Sequence, residues 1–396
     1  MRDDYMYPTH PVLDAIAEYA EELRRLETES IELRKLAPEI VKRFREIGVM
    51  RLLQPGRYGG MEADPRVFNE AMYAISRASS SAGWVTGVVG VHAWHIGLFD
   101  DRAQREVLGE NPDTWLSSSY GPAGKAKRVK GGHVLTGRWG FSSGSDYCDW
   151  VFVGGLVTDE AGGPPEYRHF LLPRPDYEIV DVWHASGLVG TGSNDIVVSE
   201  QFVPDHRSLN VSDTMERNVP GKEINTSPIY NLPWFGVLLN SVVVPLIGMA
   251  STALDEALQI HRTKVSANPA MVPNDLTLTR FAEASGAVDL ARDLLLRNLG
   301  DLYDTACAEQ GPTLAQRMRG KRDHMVAVEL AVSAVDKAYQ SGGPRSIWNT
   351  SLIQQLWRDV HAGQHHAMNL PDGAYPVYGR YLLQGEAILP NIVGAF

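Results

Sequence analysis

The spacing of apolar residues changes twice along this chain of 396 residues. They recur at helical spacing up to about residue 114, in short alternating runs between about 115 and 215, and at helical spacing again beyond 216. A helix buries one stripe and a strand buries every second side chain, so one segment cannot satisfy both periods. The pattern predicts a mainly α protein with a β insert: an N-terminal helical domain over 1–114, a middle β-barrel-like domain over 115–215, and a C-terminal four-helix bundle over 216–396.

Start and stop residues place the helices of the first unit. Thr9 is predicted to cap the first helix, and Pro38 and Gly48 bound the second. Asp64 is predicted to cap a third, because an Asp followed by Pro is a favoured helix start. Residues 82–99 are apolar nearly all round, which indicates a helix buried on every side.

The middle unit is predicted to consist of short strands between Gly-rich turns. The alternating runs are Lys127–Val134, Tyr147–Gly154, His169–Leu172 and Ile196–Val203. Four long amphipathic segments follow, and this succession is typical of a helical bundle. They are Leu238–Arg262, Leu276–Ala308, Ala315–Ser341 and Ser346–Asn369.

Charge and cysteine content exclude several classes of protein. The net charge of −11 repels nucleic acid and anionic membrane surfaces, so neither is an expected partner. The two cysteines, Cys148 and Cys307, lie far apart without metal-type spacing. No signal peptide is visible, and the apolar run Val242–Ala250 contains Pro245 and is too short to cross a bilayer. A cytoplasmic location is the simplest expectation.

The segment Gly137–Gly155, GRWGFSSGSDYCDWVFVGG, is the most informative one. Trp139 and Phe141 are two residues apart, so a regular strand would place both rings on one face as a flat apolar wall for an aromatic cofactor. Ser142 and Ser143 would place hydroxyls just past that wall. The alternative is a β-turn with a Ser-Gly-Ser tip beneath a sheet core.

Two groups of histidines lie on predicted helices. His92 and His95 are three residues apart on the buried helix, where packed, hydrogen-bonded core histidines are common. His361 and His365 have the spacing of a helical metal-binding pair, but the Glu of the zinc proteases and a third ligand are both missing. No metal is therefore expected, and a core or capping role remains an alternative for this second group, which includes His366.

Several segments together resemble the acyl-CoA dehydrogenase fold, and more closely its flavin-dependent monooxygenase branch. LLQPGRYGG (Leu52–Gly60) resembles a loop of the dehydrogenases, and GRWGFSSGSDYCDW resembles their Trp-containing flavin strand. GLVGTGSND (Gly187–Asp195) and FVPDHR (Phe202–Arg207) resemble the strands that close the middle domain. RDVHAGQHHAMN (Arg358–Asn369) resembles the His-containing helix specific to the monooxygenases, so it discriminates best.

The resemblance implies the oxygenase component of a two-component flavin-dependent monooxygenase. Such enzymes take reduced FMN or FAD and molecular oxygen, form a flavin C4a-hydroperoxide, and hydroxylate a phenol at its ortho carbon. The branch includes p-hydroxyphenylacetate hydroxylases and the seco-steroid phenol hydroxylases of bacterial cholesterol degradation, and this chain resembles the latter more. A hydroxyphenylacetate would need a cation for its carboxylate, and the sequence alone assigns none. The resemblance further implies a homotetramer with flavin between neighbouring subunits.

The resemblance also implies which residues form the site. As catalytic residues it indicates His92, a base on the phenol; Ser143, near the flavin N5; and His366, a donor to the distal peroxide oxygen. The residues expected to bind the cofactor are Trp84, Ser118, Ser119, Trp139, Phe141, Ser142, Ser143, Arg262, Arg345, Ser346, His365 and His366. Among them Arg262, Arg345 and Ser346 are implied contacts of the flavin phosphate.

The glycine-rich loops carry no nucleotide signature. Gly187-x-x-Gly190-x-Gly192 inverts the order of the dinucleotide fingerprint and precedes a strand, and Gly121–Lys125 lacks the spacing of a phosphate loop. Because the chain has no nicotinamide motif, a separate flavin reductase is expected to supply the reduced flavin.

Two other functions remain as alternatives. An acyl-CoA dehydrogenase or oxidase would need a carboxylate base to remove the α-proton of a thioester, and Glu386 lacks the sequence context of that base. A non-catalytic flavin- or ligand-binding scaffold is the second alternative, because a fold alone does not establish chemistry.

Overall fold

The computed structural model describes residues 7–158 and 164–385. Within these residues, six α-helices precede the sheet: α1 Pro11–Leu33, α2 Pro38–Ile47, α3 Pro65–Ala78, α4 Ser80–Gly90, α5 His92–Ile96 and α6 Asp101–Leu108. The part of the chain up to residue 385 has six α-helices after the sheet: α7 Val211–Glu216, α8 Trp234–Ala267, α9 Asp275–Cys307, α10 Leu314–Ser341, α11 Leu352–Gln364 and α12 Tyr375–Gln384. The predicted order of helices, β insert and helical bundle is confirmed.

Seven strands form one mixed sheet in the order β5-β6-β2-β1-β3-β4-β7. They are β1 Leu116–Val129, β2 Gly132–Ser142, β3 Trp150–Thr158, β4 Glu166–Pro173, β5 Glu178–Val180, β6 Asn194–Pro204 and β7 Ser208–Asn210. Strands β1 and β3 pair in parallel, and the other strand pairs among the described residues are antiparallel. The sheet is curled, because β4 and β6 approach one another although three strands separate them.

Three predicted boundaries were displaced by local geometry. The first helix is capped by His10 and not Thr9, because the His10 ring accepts from the backbone N–H of Val12 at 3.2 Å. The predicted strand Lys127–Val134 is a hairpin that turns at Gly131, where φ is +80°. The buried segment 82–99 is two helices that meet at Val91.

Helix α8 is the central helix of the C-terminal half. It runs through Pro245, so the apolar run around this proline belongs to a helix of 34 residues. This helix has the length and apolar composition of a membrane span, but 89% of its apolar window is buried inside the protein. The burial accounts for the composition, because a helix packed on all sides has no polar face.

The apolar interior has two large parts among the described residues. One spans the helices before and after the sheet, and it includes Leu23, Trp94 and Leu246. The other lies within the sheet and includes Trp139 and Phe170. The N-terminal and C-terminal helices therefore share one core, while the boundaries at residues 114 and 215 stay a prediction.

Two buried carboxyl groups join helices that are far apart in sequence. Ser80, at the start of α4, lies 2.8 Å from Glu27 of α1 and 2.5 Å from Asp359 of α11. Ser79 and Ser81 also donate to Glu27. Burial raises the pKa of Glu27 to about 7 and also raises the pKa of Asp359. The Ser80 hydroxyl contacts both carboxyl groups but has a single hydrogen, so it can donate to only one of them. A proton on one of the two carboxyl groups supplies the missing hydrogen and is therefore favoured.

We predict that Glu27→Gln removes a pH dependence of stability. The folded pKa of Glu27, about 7, lies above its ordinary 4.5, so its contribution to stability is complete below pH 4.5 and is lost as the pH rises through 7. The loss is on the order of 3 kcal/mol. Urea unfolding between pH 5 and 8 measures it, with the exposed Glu29→Gln as matched control. Equal pH dependence in Glu27→Gln and wild type would contradict the prediction.

Candidate active site

A cavity of about 900 Å³ lies where the sheet meets the two groups of helices. Its walls come from α4, from β1 and β2, from the loop before β6, from the start of α8 and from the end of α11. The predicted site residues that line it are Trp84, Ser118, Ser119, Phe141, Ser143, His365 and His366. The fold thus gathers residues from the whole length of the chain.

Trp139 does not form the predicted wall with Phe141. Its ring lies inside the sheet core, and its indole N–H donates to the carbonyl of Gly154 at 2.7 Å. A Cβ atom at Gly124 would lie 2.5 Å from this ring, and one at Gly137 would lie 2.6 Å from it. The ring therefore fits here because neither residue has a side chain. The interpretation of a shared face was wrong for a local reason: the strand register shifts after Trp139 and Phe141 has φ +64°. Regular alternation therefore ends between the two rings.

Phe141 finds a different aromatic partner at the rim of the cavity. It is 75% exposed, and its ring lies 6.0 Å edge-on from that of Trp183, which also lines the cavity. Ser142 is fully buried, with its hydroxyl unpaired among the described residues, and does not line the cavity. Trp183 was missed because its loop has no periodic pattern.

Ser143 lies at the centre of the hydroxyl groups in the wall. The Trp84 indole N–H donates to its Oγ at 3.2 Å, and the Oγ of Ser193 lies 2.7 Å away. Ser119 donates to the Gly140 carbonyl at 2.7 Å and so ties β1 to β2 beside it. These contacts fix Ser143 on the cavity wall, and its predicted contact with the cofactor stays a prediction.

His366 is a neutral hydrogen-bond donor toward its surroundings. Its Nδ1 accepts from the backbone N–H of Met368 at 3.2 Å, so the ring proton resides on Nε2. Burial lowers the pKa of His366 to about 4. The ring meets that of Trp84 edge-on at 5.8 Å. Its exposed neighbour His365 also lines the cavity, with Nδ1 2.7 Å from the His361 carbonyl.

The His92 ring has an acceptor nitrogen where His366 has a donor, and it lies behind the cavity wall. Its Nδ1 donates to the carbonyl of Leu116 at 2.7 Å, which leaves Nε2 as an acceptor. Burial lowers the pKa of His92 to about 4, so the ring is neutral. It is not among the residues that line the cavity, and its ring packs 5.8 Å from that of Tyr120, which does line it.

A buried aromatic cluster occupies the deep end of the cavity. Tyr120 shares a hydrogen bond with His95 at 2.6 Å, and His169 packs 4.5 Å from the Tyr120 ring. Trp234 lies 5.3 Å from His169. Burial lowers the pKa of His169 to about 3, and both of its ring nitrogens lack a partner among the described residues. The sequence offered one signal for this cluster, a histidine within the apolar strand β4.

The remaining predicted residues lie away from this cavity. His361 contacts Asp336 at 3.0 Å and does not pair with His365, and no metal-type cluster occurs within residues 7–158 and 164–385. Arg262 and Arg345 are exposed and Ser346 is buried, and none of the three lines the cavity. Their predicted phosphate contact stays a prediction. Glu386 lies outside the described residues.

Comparison with known proteins places this geometry in a family. The family model "Acyl-CoA dehydrogenase, C-terminal domain" matches residues 241–371. The oxygenase subunit HsaA of a flavin-dependent monooxygenase from Rhodococcus jostii is 40% identical over 93% of this chain and 96% of its own length. The chain belongs to the flavin-dependent monooxygenase oxygenase subunits. The oxygenase component of p-hydroxyphenylacetate 3-hydroxylase from Acinetobacter baumannii is 30% identical over 95% of this chain and 87% of its own.

A solved structure supports the same assignment. The 3-HSA hydroxylase from Rhodococcus sp. RHA1 superposes with a TM-score of 0.92 at 38% identity, covering 95% of this chain and 97% of that one. The predicted fold and enzyme class are therefore confirmed. This monooxygenase is the oxygenase component of a two-component aromatic hydroxylase that uses reduced flavin and oxygen, with a reductase component as its partner.

The cavity has the features that a flavin requires. A flavin ring needs apolar walls and polar atoms at its edge, and the rim offers the rings of Phe141 and Trp183. Ser143 and Ser119 add hydroxyl groups, and the half-buried His366 adds an N–H. The residues present thus fit the cofactor that the family uses.

We predict that His92 and His366 stay neutral throughout the working pH range. Burial holds both pKa values at about 4, so a proton is gained only as the pH falls through that value. In NMR titrations of histidine-labelled protein, both rings should hold constant shifts between pH 5.5 and 8. The variants His92→Gln and His366→Gln assign the signals. A titration of either ring near pH 6.5 would contradict the prediction.

Proposed function

We propose that this enzyme hydroxylates a bulky fused-ring phenol, such as a seco-steroid phenol, at the carbon ortho to its hydroxyl group. The observation that carries the proposal is the size of the site. A second chamber of about 400 Å³ adjoins the main cavity, and Met215, Trp234 and Phe235 border both. Pockets of about 300–1,000 Å³ hold drug-sized ligands, so the combined space suits flavin together with a large substrate.

A smaller phenolic acid is the competing substrate class. Arg317 lines both chambers, and an arginine there is the cation that a carboxylate-bearing phenol would need. The bulky phenol is favoured because this wall is otherwise dominated by apolar and aromatic groups, which Leu239 and Leu302 extend into the second chamber. The two classes differ in charge, so only the phenolic acid is expected to depend on Arg317.

Two residues of the cavity wall contribute opposite hydrogen-bonding groups, an acceptor from Ser143 and a donor from His366. Bound reduced flavin supplies the activated oxygen atom that the ring acquires. With reduced flavin bound, Ser143 would accept a hydrogen bond from the cofactor edge, and the His366 N–H would donate to the oxygen atom that is transferred. His92, which the resemblance implied as a base on the phenol, keeps Nε2 as an acceptor but lies behind Tyr120 and does not line the cavity, so we assign it no direct contact with the phenol.

The assembly that we propose is a cytoplasmic homotetramer with flavin at the contacts between subunits. Arg262 and Arg345 are exposed on the C-terminal half, and Ile347 and Trp348 beside Arg345 are 67% and 55% exposed. Exposed apolar groups next to cations suit a subunit contact that also holds a phosphate. In that arrangement Arg262, Arg345 and Ser346 contact the flavin phosphate.

The decisive experiment mixes the anaerobic complex with reduced FMN and oxygenated buffer, then measures flavin absorbance, peroxide and product. We expect a catechol from a seco-steroid phenol, formed with little peroxide. Turnover of hydroxyphenylacetate alone, lost in Arg317→Met, would establish the smaller acid instead. Oxidised flavin that is bleached by an acyl-CoA, with no hydroxylation of any phenol, would establish a dehydrogenase.

We predict that Ser143→Ala separates oxygen consumption from hydroxylation. The variant loses the hydroxyl that contacts the cofactor edge, so peroxide release per flavin should rise about tenfold or more, while substrate binding is retained. Thr136→Ala serves as a control, because its hydroxyl bonds only to the exposed backbone at Glu200. A wild-type ratio of product to peroxide in Ser143→Ala would contradict the assigned role.

A further inference from the structure

A chain of hydroxyl groups leads from Ser143 into the loop before β6. Ser143 Oγ lies 2.7 Å from Ser193 Oγ, which lies 2.7 Å from Thr191 Oγ1. Thr191 Oγ1 then donates to the carbonyl of Leu188 at 2.8 Å. The Trp84 indole N–H reaches Ser143 from the other end at 3.2 Å. Three hydroxyls therefore connect an indole N–H to a backbone carbonyl.

The two ends determine the direction of every hydrogen bond between them. A carbonyl can only accept, so the single hydrogen of Thr191 is used on Leu188. Ser193 must then donate to Thr191, and Ser143 must donate to Ser193. The indole of Trp84 can only donate, which agrees with this direction. Ser143 keeps one unused lone pair and no hydrogen to offer the cavity that it lines.

We propose that Thr191 and Ser193 are positioning residues that hold Ser143 as a hydrogen-bond acceptor and so make the site prefer reduced flavin to oxidised flavin. This rests on the proposed function, in which Ser143 faces the flavin edge. Reduced flavin has a hydrogen on N5, which an acceptor binds. Oxidised flavin has a lone pair on N5, which an acceptor repels and only a donor can bind.

The carbonyl at the end of the chain is itself held in place. Leu188 has φ +52°, a left-handed conformation that a non-glycine residue rarely adopts. Its N–H donates to the buried Asp359 at 2.6 Å, and its carbonyl also accepts from the Trp183 indole at 2.9 Å. Asp359 in turn contacts Ser80. The loop is thus fixed from both sides, so the hydroxyl chain has an immobile acceptor.

Reversing the chain has a definite cost. If Ser143 donated into the cavity, Ser193 would donate to Ser143 and Thr191 to Ser193. Leu188 would then lose the Thr191 hydroxyl, so the protein would hold one hydrogen bond fewer. One such bond changes a binding constant about fivefold to tenfold. The hydroxyl chain is therefore expected to contribute a fivefold to tenfold preference for reduced flavin over oxidised flavin.

Three variants isolate the chain. Ser193→Ala removes the acceptor of the Ser143 hydrogen, so this hydrogen turns to the cavity. Thr191→Val removes the hydroxyl that fixes the direction of the hydrogen bonds, at a residue that is two hydrogen bonds away from Ser143. Thr191→Ser keeps the hydroxyl and should behave as wild type. Ser145→Ala is the matched control, because its buried hydroxyl has no partner among the described residues.

The measurement is the ratio of the dissociation constants of oxidised and reduced FMN, obtained anaerobically without turnover. We expect the ratio to fall fivefold to tenfold in Ser193→Ala and Thr191→Val, and to keep its wild-type value in Thr191→Ser and Ser145→Ala. A tenfold fall lowers the midpoint potential of the bound flavin by about 30 mV, which gives a second readout. Unfolding curves identify any variant that is not folded.

The outcomes separate this inference from the proposed function. If wild type binds neither form of flavin, the proposed function fails. If wild type binds flavin and all four variants keep its ratio, the function stands and the positioning role is overturned. A fall in Ser193→Ala with an unchanged ratio in Thr191→Val would also overturn the proposal, because the direction of the chain would then not depend on Leu188.

Discussion

The buried contact between Glu27, Ser80 and Asp359 is the constraint on which the site depends. It joins the first helix, the helix that carries Trp84, and the helix that ends at the two adjacent histidines. Two carboxyl groups that form no ion pair among the described residues are costly to bury, and hydroxyl donors together with a shared proton reduce that cost. The chain supplies three consecutive serines at the start of α4 for this purpose.

The same contact extends directly into the cavity wall. Asp359 holds the backbone of Leu188, whose carbonyl ends the hydroxyl chain that leads to Ser143. The packing of the helices and the orientation of Ser143, the proposed cofactor contact, are therefore linked through one continuous set of hydrogen bonds. It explains why a loop without regular structure is kept in a left-handed conformation at Leu188. In the proposed function, the polar groups that face the flavin would be oriented before it binds, which avoids reorganisation during the reaction.

Rules based on adjacent residues predicted the boundaries of several helices correctly. They failed where contacts between distant parts of the chain determine the local structure. Pro38, Gly48 and Asp64 bound their helices as expected, because caps and turns depend on a few adjacent residues. The pairing of Trp139 with Phe141 failed because strand β2 loses its register against β6 between them. Spacing predicts a shared face only while the strand stays regular.

The sequence by itself determined the order of helices, β insert and helical bundle, and the family, and it predicted Ser143 and His366, both of which line the cavity. These depend on periodicity and on motifs that stay contiguous. Only the tertiary structure decided that His92 lies behind Tyr120, and that Ser193 lies beside Ser143. These neighbours are distant in sequence, and their relation arises from the curl of the sheet against the shared helical core. The direction of each hydrogen bond is likewise a property of the folded network, because a hydroxyl donates or accepts according to its partners.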